Sequence, residues 1–137
     1  IVINASVGEN KIGILTDLKP NIEAAPSLLK KFITDQFGYN LTRTISDIRQ
    51  NYRNSVSCKK TVPESIVAFL ESDSYEETIR NAIWIGGDAD TMAAIAGSIA
   101  EPFWGIPTEI KTKGLAKLPV DLRSVLDEFY EEHEIDY

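Results

Sequence analysis

The amino-acid sequence predicts an all-α protein with a single compact domain. Apolar residues recur every three or four positions in six segments, which is the spacing of one face of a helix. No run of alternating β-branched residues is longer than a few positions, and no internal repeat is visible. The length of 137 residues and the hydrophobic fraction of 43% suit one domain over residues 1–137.

Two helices are predicted in the first third of the chain. Residues 1–24 have no sustained period, so we expect a loop there that can include one short helical turn. A helix is expected from Pro26 to Gly38, because proline favours the first turn of a helix and glycine its end. The next helix has one apolar face, formed by Leu41, Ile45, Ile48 and Tyr52. Asn40 and Thr42 are both suitable caps for it.

Two capping boxes predict the helices in the middle of the chain. In each box, Ser or Thr is followed three residues later by Glu, so that side chains and backbone can bond reciprocally. The first box, Thr61–Glu64, follows a polar stretch at 53–60 that we expect to be a loop. The second box, Ser74–Glu77, begins a helix that the paired glycines Gly86 and Gly87 end. The apolar stripe of that helix is Tyr75, Ile79, Ala82 and Ile83.

The segment from Thr91 to about Phe103 is predicted to be a central helix. Beside its large apolar residues runs a track of small ones, Ala93, Ala96, Gly97 and Ala100. Small residues let a neighbouring helix approach closely, so we expect this helix to be buried on most of its faces. Trp84 and Trp104 are expected in the core. The last helix runs from about Asp121 and is amphipathic, with an apolar face of Leu122, Val125, Leu126, Phe129 and Tyr130.

Charge and cysteine content limit the possible partners and location. The formal net charge is −7, and seven of the 21 acidic residues lie in 121–137. Such a chain lacks the basic surface that nucleic acid or an anionic membrane needs, so we expect neither partner. No apolar run reaches the roughly 18 residues of a membrane span. The single cysteine, Cys58, cannot form a disulfide within the chain, which favours a reducing, cytoplasmic setting.

Residues 86–91 are the best candidates for binding a ligand. Gly86 and Gly87 permit a sharp turn with positive φ and let a ligand approach the backbone. Asp88, Asp90 and Thr91 then supply three oxygen donors within four residues, the ligand type that Mg²⁺ prefers. A structural explanation is also open, in which one acid caps the following helix and the other favours its positive end. Taken alone, the spacing favours the caps.

Several short blocks, in a fixed order, carry a resemblance to a known family. They are Ser57 and Cys58, Thr61–Ile66, Ala68–Ser72, Arg80–Ile83, Gly86–Thr91, Ala94–Gly97, Ala100 and Glu101, and Gly105–Pro107. A weaker match extends back to Phe37–Leu41, Arg43 and Thr44. Together these blocks resemble the C-terminal half of an ADP-ribosylglycohydrolase.

The resemblance implies an all-α hydrolase with two Mg²⁺ or Mn²⁺ ions. Such enzymes cleave the N- or O-glycosidic bond between ADP-ribose and a protein side chain or a small molecule. The positions that match the family's metal-binding block are Asp88, Asp90 and Thr91. Ser57 and Cys58 match a loop that approaches the adenosine end of the ligand, although a lone cysteine is also commonly a small buried hydrophobe. With Gly86 and Gly87 they form the expected substrate-binding set.

The family's other metal ligands lie in an N-terminal half, in a Thr-Asp-Asp motif and an early Gly-Asp helix. This sequence contains neither motif, so we expect it to be the C-terminal part of a longer domain. Its partners would be that missing half and an ADP-ribosylated protein or small-molecule conjugate, and the chain alone would be inactive, with no certain catalytic residue. The alternative is a truncated, non-catalytic relative that serves as an ADP-ribose-binding or helical scaffold module. Asn54, Ser55, Lys59, Lys60 and Trp84 depart from the family's usual residues, which leaves substrate preference open.

Overall fold

The computed structural model describes residues 25–53, 55 and 57–133. These residues form seven helices and no strand, which confirms the predicted all-α class. The helices are α1 (Ala25–Phe37), α2 (Ile45–Asn51), α3 (Cys58–Leu70), α4 (Tyr75–Ile85), α5 (Ala89–Trp104), α6 (Thr108–Leu115) and α7 (Val120–Glu132). The loop predicted over residues 1–24 lies outside the described residues.

The chain divides into two compact units. The first is Ile1–Gly105, whose described part contains α1 to α5, and the second is Ile106–Tyr137, which contains α6 and α7. The expectation of a single domain, forming the C-terminal part of a longer one, stays a prediction. None of the helices in the described residues is both long and apolar enough to cross a membrane.

In the first unit, α5 packs against both α3 and α4, and α2 packs against the same two helices. The side of α5 that is buried is its small-residue track together with Met92, as Ala96, Gly97 and Ala100 are all buried. Ala94 and Glu101 are exposed, while the large apolar residues Ile95, Ile99 and Phe103 are only half-buried. The small residues therefore define the packed face, and the prediction of burial on most faces was too broad.

Gly97 leaves a space on the surface of α5 that two side chains of α4 fill. A Cβ atom at this position would lie 2.9 Å from Cδ1 of Ile79 and 3.3 Å from the hydroxyl oxygen of Tyr75. The pKa of Tyr75 is raised, first by its burial and then by the negative charge of Glu101. The small-residue track is therefore packed against a second helix, with the side chains of that helix next to Gly97.

Helix α2 begins with a capping box that the sequence reading did not identify. The Thr44 hydroxyl accepts a hydrogen bond from the Asp47 backbone N–H at 3.1 Å, and Asp47 accepts from the Thr44 N–H at 3.1 Å. The Thr44 hydroxyl and N–H lower the pKa of Asp47 below its ordinary value. The suggested caps were wrong, because Asn40 instead accepts hydrogen bonds from the N–H and hydroxyl of Thr42 in the preceding turn.

Helix α3 begins one turn before its predicted start. Its N-cap is Ser57, and the helix continues through Pro63. Thr61 and Glu64 therefore do not form a capping box; both are buried, and Glu64 instead pairs with Arg43 across 3.0 Å. Pro63 has no N–H, so it cannot donate the helical hydrogen bond to the Lys59 carbonyl four residues back.

Helix α4 starts where predicted but buries a different face. Ser74 accepts from the Glu77 N–H at 3.2 Å, while the Glu77 carboxylate accepts from the Asp73 N–H at 2.8 Å. The buried residues are Thr78, Ala82 and Ile85. Trp84 is 47% exposed, so the expectation that it lies in the core was wrong. Ile83, part of the predicted apolar stripe, is also exposed, at 55%. Trp104 is half-buried, with its ring centroid 5.0 Å from that of Phe69.

In the second unit, α7 begins at Val120, close to the predicted start. Its apolar stripe is present, yet Leu122, Val125 and Phe129 are each at least half exposed. Helix α6 was not predicted, because its sequence has no apolar stripe and none of its residues is buried. His133, expected to be a solvated side chain, is exposed and stacks on the Phe129 ring at 4.4 Å.

Candidate functional site

The connection between α4 and α5 is a three-residue turn that needs its glycines. Gly86 has φ 88° and ψ −162°, a region open to glycine and costly for residues with a Cβ atom. Gly87 also has a positive φ, of 71°. No other atom lies within 4 Å of where a Gly86 Cβ would be, so backbone conformation, and not crowding, requires this glycine.

Asp88 occupies the N-cap position of α5 but does not use its side chain as a cap. Its carbonyl accepts the first helical hydrogen bond, from the Met92 N–H at 3.0 Å, whereas its carboxyl group makes no capping hydrogen bond. The side chain is half-buried. A carboxylate at this position normally accepts from a free N–H of the first turn. Helix capping therefore does not account for Asp88.

Asp90 lies in the first turn of α5 and is exposed, as is Thr91. The pKa of Asp90 is lowered, first by a hydrogen bond with the Asp88 side chain and then by the backbone N–H groups of Thr91 and Asp90 itself. The two carboxyl groups thus lie side by side at the positive end of the helix, where negative charge is favourable. Two acids and a hydroxyl give a hard-oxygen donor set suited to Mg²⁺ or Mn²⁺.

Ser57 and Cys58 lie at the start of α3, and both are exposed. Cys58 is therefore not the small buried hydrophobe that a lone cysteine often is. The Ser57 side chain makes no capping hydrogen bond, and its N–H donates to the Ser55 hydroxyl at 3.2 Å. Both side chains remain available to contact a ligand.

The order of the helices places these two segments at the same end of the first unit. Helices α3 and α4 contact each other and are joined by four residues, so they run antiparallel. Helices α4 and α5 contact each other and are joined by three residues, so they do likewise. The start of α3, the end of α4 and the start of α5 therefore face the same way, which brings Ser57 and Cys58 to the same end as residues 86–91.

Within the described part of the chain, no three His, Cys, Asp or Glu residues are grouped so as to hold a metal ion. Asp88, Asp90 and Thr91 can supply part of a coordination shell, and a divalent cation needs about six oxygen ligands. The donors present thus fit Mg²⁺ or Mn²⁺, the ions that the sequence resemblance implies, and further ligands are needed to complete the shell.

A shallow cavity of about 400 Å³ lies elsewhere, and none of the predicted site residues lines it. Its walls come from α2, α4 and the end of α3, and include Arg80, Asn81 and Trp84. Its polar groups are largely engaged: Arg80 pairs with Glu76, and Asn81 donates to Ser72 at 2.8 Å. The Arg49 guanidinium lies 4.4 Å above the Trp84 ring and donates to the Trp84 carbonyl.

Sequence reasoning also missed a buried ion pair. Glu64 is 4% exposed, and its Oε2 atom and the Nε atom of Arg43 have no hydrogen-bond partner. The hydroxyl of Tyr52 is likewise buried and without a partner. An arginine 21 positions before a glutamate in the chain gives no sequence signal of such a pair.

The described residues thus combine an all-α fold with two acids at the start of a helix that follows two glycines. The chain belongs to the ADP-ribosylglycohydrolase family, whose model matches residues 5–135. It is also 29% identical over 87 residues to an uncharacterized protein of Archaeoglobus fulgidus. That match covers 63% of this chain and 28% of the archaeal protein, so the aligned part is little more than a quarter of that relative. No solved structure matches the chain.

The family is named for ADP-ribosylglycohydrolases and is generally metal-dependent.

Proposed function

We propose that this chain supplies one part of a di-metal site that cleaves ADP-ribosyl glycosidic bonds. Asp88, Asp90 and Thr91 are its metal ligands in this proposal. The observation that carries it is the Asp88 carboxyl group, which is half-buried, makes no capping hydrogen bond and lies beside Asp90. Two neighbouring carboxylates repel each other unless a proton or a cation lies between them.

The residues of the chain have separate tasks in this proposal. When bound, two Mg²⁺ or Mn²⁺ ions would supply Lewis acidity, which would hold the ribose hydroxyl groups in place and make a water more acidic for attack on the anomeric carbon. Asp88 and Asp90 contribute negative charge and hold the ions in place. Gly86 and Gly87 leave space beside the backbone for the substrate, and Ser57 and Cys58 contact the adenosine end.

The remaining ligands come from an N-terminal half of the same domain, the partner this chain needs for activity. The substrate is an ADP-ribosylated protein or a small-molecule conjugate. A second candidate is a non-catalytic relative that binds ADP-ribose or acts as a helical scaffold. The lack of any three-acid group in the described residues favours this second candidate for the chain on its own.

The test separates metal ligands from helix caps. Asp88→Asn and Asp90→Asn are made singly in the complete protein and melted in chelator and in excess Mg²⁺ or Mn²⁺. Asparagine can still cap, so the change removes mainly charge. We expect the unsubstituted protein to gain stability with metal through binding linkage and both variants to lose most of that gain together with activity.

Asp121→Asn is the matched control, because Asp121 is an exposed acid in the first turn of another helix, α7. It should keep the full metal-dependent gain. Equal stabilisation by metal in the unsubstituted protein and in the Asp88 and Asp90 variants would mean that neither acid binds metal.

A further inference from the structure

The turn that precedes α3 is held from within the helix by the side chain of Thr61. Thr61 is 3% exposed, and its hydroxyl lies 3.2 Å from the Ser55 carbonyl oxygen and 3.1 Å from that of Ser57. The Ser57 N–H also donates to the Ser55 hydroxyl. A buried hydroxyl thus meets both ends of the turn that leads to Ser57 and Cys58.

The two carbonyls that face Thr61 are not equivalent. The Ser57 carbonyl also accepts from the N–H groups of Lys60 at 2.9 Å and Thr61 at 3.0 Å, as a helix start normally provides. A threonine hydroxyl bonded to the carbonyl four residues earlier is common in helices. The contact with Ser55 reaches six residues back, beyond the helix, and so it is the contact that ties the turn to α3.

We infer that Thr61 is a positioning residue, which fixes the orientation in which Ser57 and Cys58 meet the ligand. Thr61 is buried and acts through the backbone of the turn. The inference rests on the proposed contact of Ser57 and Cys58 with ADP-ribose. A turn held in its binding conformation loses less conformational freedom when the ligand binds, so removal of the hydroxyl weakens affinity.

Two variants at this position separate the hydroxyl from the shape of the side chain. Thr61→Val replaces the hydroxyl with a methyl group of similar size, whereas Thr61→Ser retains the hydroxyl. The probe is ADP-ribose itself, titrated against the complete protein in Mg²⁺. The readout is protection of Cys58 from alkylation by iodoacetamide, measured by mass on the peptide that carries Cys58.

We expect Thr61→Val to need about two- to ten-fold more ADP-ribose for half-protection, the range that one net hydrogen bond supplies. Thr61→Ser should behave like the unsubstituted protein. Without ligand, amide hydrogen exchange across residues 55–58 should be faster in Thr61→Val by a similar factor, because the turn opens more often.

Thr78→Val is the matched control. Thr78 is fully buried in α4, and its hydroxyl donates to the Ser74 carbonyl at 3.0 Å, four residues back. This variant loses the same kind of hydrogen bond without touching the 55–57 turn, so it should melt earlier and leave ADP-ribose protection unchanged.

Three outcomes overturn the inference. One is equal half-protection in Thr61→Val and the unsubstituted protein; another is equal weakening by the valine variants at positions 61 and 78. The third is no protection of Cys58 in any protein, which also removes the proposed ligand contact of Ser57 and Cys58. That third outcome leaves the metal ligands Asp88 and Asp90 standing, because the metal-dependent melts test them separately.

Discussion

Gly97 has no side chain, and the space beside it on α5 is filled by Ile79 and Tyr75 of α4. Because a Cβ atom there would already come within 2.9 Å of Ile79, Gly97→Leu must push α5 away from α4 or force side chains out of their preferred rotamers. We expect a cost of about 1 to 3 kcal/mol in the free energy of unfolding. Denaturant unfolding would measure it.

The matched control is Gly114→Leu, since Gly114 lies in helix α6 with no atom within 4 Å of its Cβ position. That substitution should leave stability unchanged or raise it, because leucine is the better helix former. An equal loss at both positions would show that crowding is not the cause.

Among the charged side chains, Glu64 is the one whose removal we expect to lower the free energy of unfolding most. Its carboxylate is buried and pairs with Arg43, so Glu64→Ala leaves an arginine without its partner and a cavity beside it. Breaking a buried pair from one side typically costs about 3 to 5 kcal/mol, and the partial exposure of Arg43 puts this case at the lower end.

Glu76→Ala provides the comparison, because Glu76 forms an exposed pair with Arg80 within α4. Such pairs contribute only about 0.3 to 0.5 kcal/mol. Similar losses for the Glu64 and Glu76 variants in denaturant unfolding would contradict the assigned difference in burial.

Asp47 gives the protein a pH-dependent element of stability. Its pKa is lower in the folded protein than in the unfolded chain, because the Thr44 hydroxyl and N–H favour the charged form. The unfolded state therefore takes up the proton first as the pH falls. The stabilisation is fully present above the ordinary aspartate pKa of about 4 and is lost as the pH falls through the lowered folded value.

We expect the stability difference between the unsubstituted protein and Asp47→Asn to shrink as the pH is lowered through this window. Melting curves at a series of pH values would measure it. Asp73→Asn, an exposed acid outside the helices, should show no such convergence. A difference that stayed constant with pH would mean that the Asp47 charge is irrelevant to the cap.

Among the elements, the helices predicted from apolar spacing are all present in the described residues. Their boundaries were less predictable. Pro63 pointed to a first turn, whereas α3 starts five residues earlier at Cys58 and includes the proline. Proline is normally unfavourable inside a helix, so residue type alone favours the later boundary. Helix α6 escaped prediction because Ile110 and Leu115 are its only large apolar residues, too few to show a helical period.

The candidate site was located by sequence only in part. Paired glycines before two acids pointed to the turn at 86–91, and the positive φ values explain why glycine is needed there. The Asp88 carboxyl group does not cap the helix and lies beside Asp90. This depends on side-chain conformation, which residue spacing does not determine. The contact of the Thr61 hydroxyl with the Ser55 carbonyl could not be predicted either, because the sequence pattern favoured Thr61 as a helix cap.

For the whole molecule, we expect the 137-residue chain alone to release no ADP-ribose from an ADP-ribosylated substrate. The described residues contain no complete metal-binding group, and a di-metal site needs oxygen ligands converging from several segments. Incubation of the purified chain with an ADP-ribosylated peptide, with and without chelator, would measure this. The complete protein, assayed alongside, should be active and chelator-sensitive; chelator-sensitive release by the chain alone would show that no second half is required.

The short connections between α3, α4 and α5 keep the entropic cost of bringing these helices together low. Only four and three residues separate these helices, so little chain freedom is lost in closing the loops that bring them together. Helices that are neighbours in sequence therefore bring Ser57, Cys58 and residues 86–91 to the same end of the first unit. The arrangement of these groups owes little to distant parts of the polypeptide, even though the activity we propose for them depends on such parts.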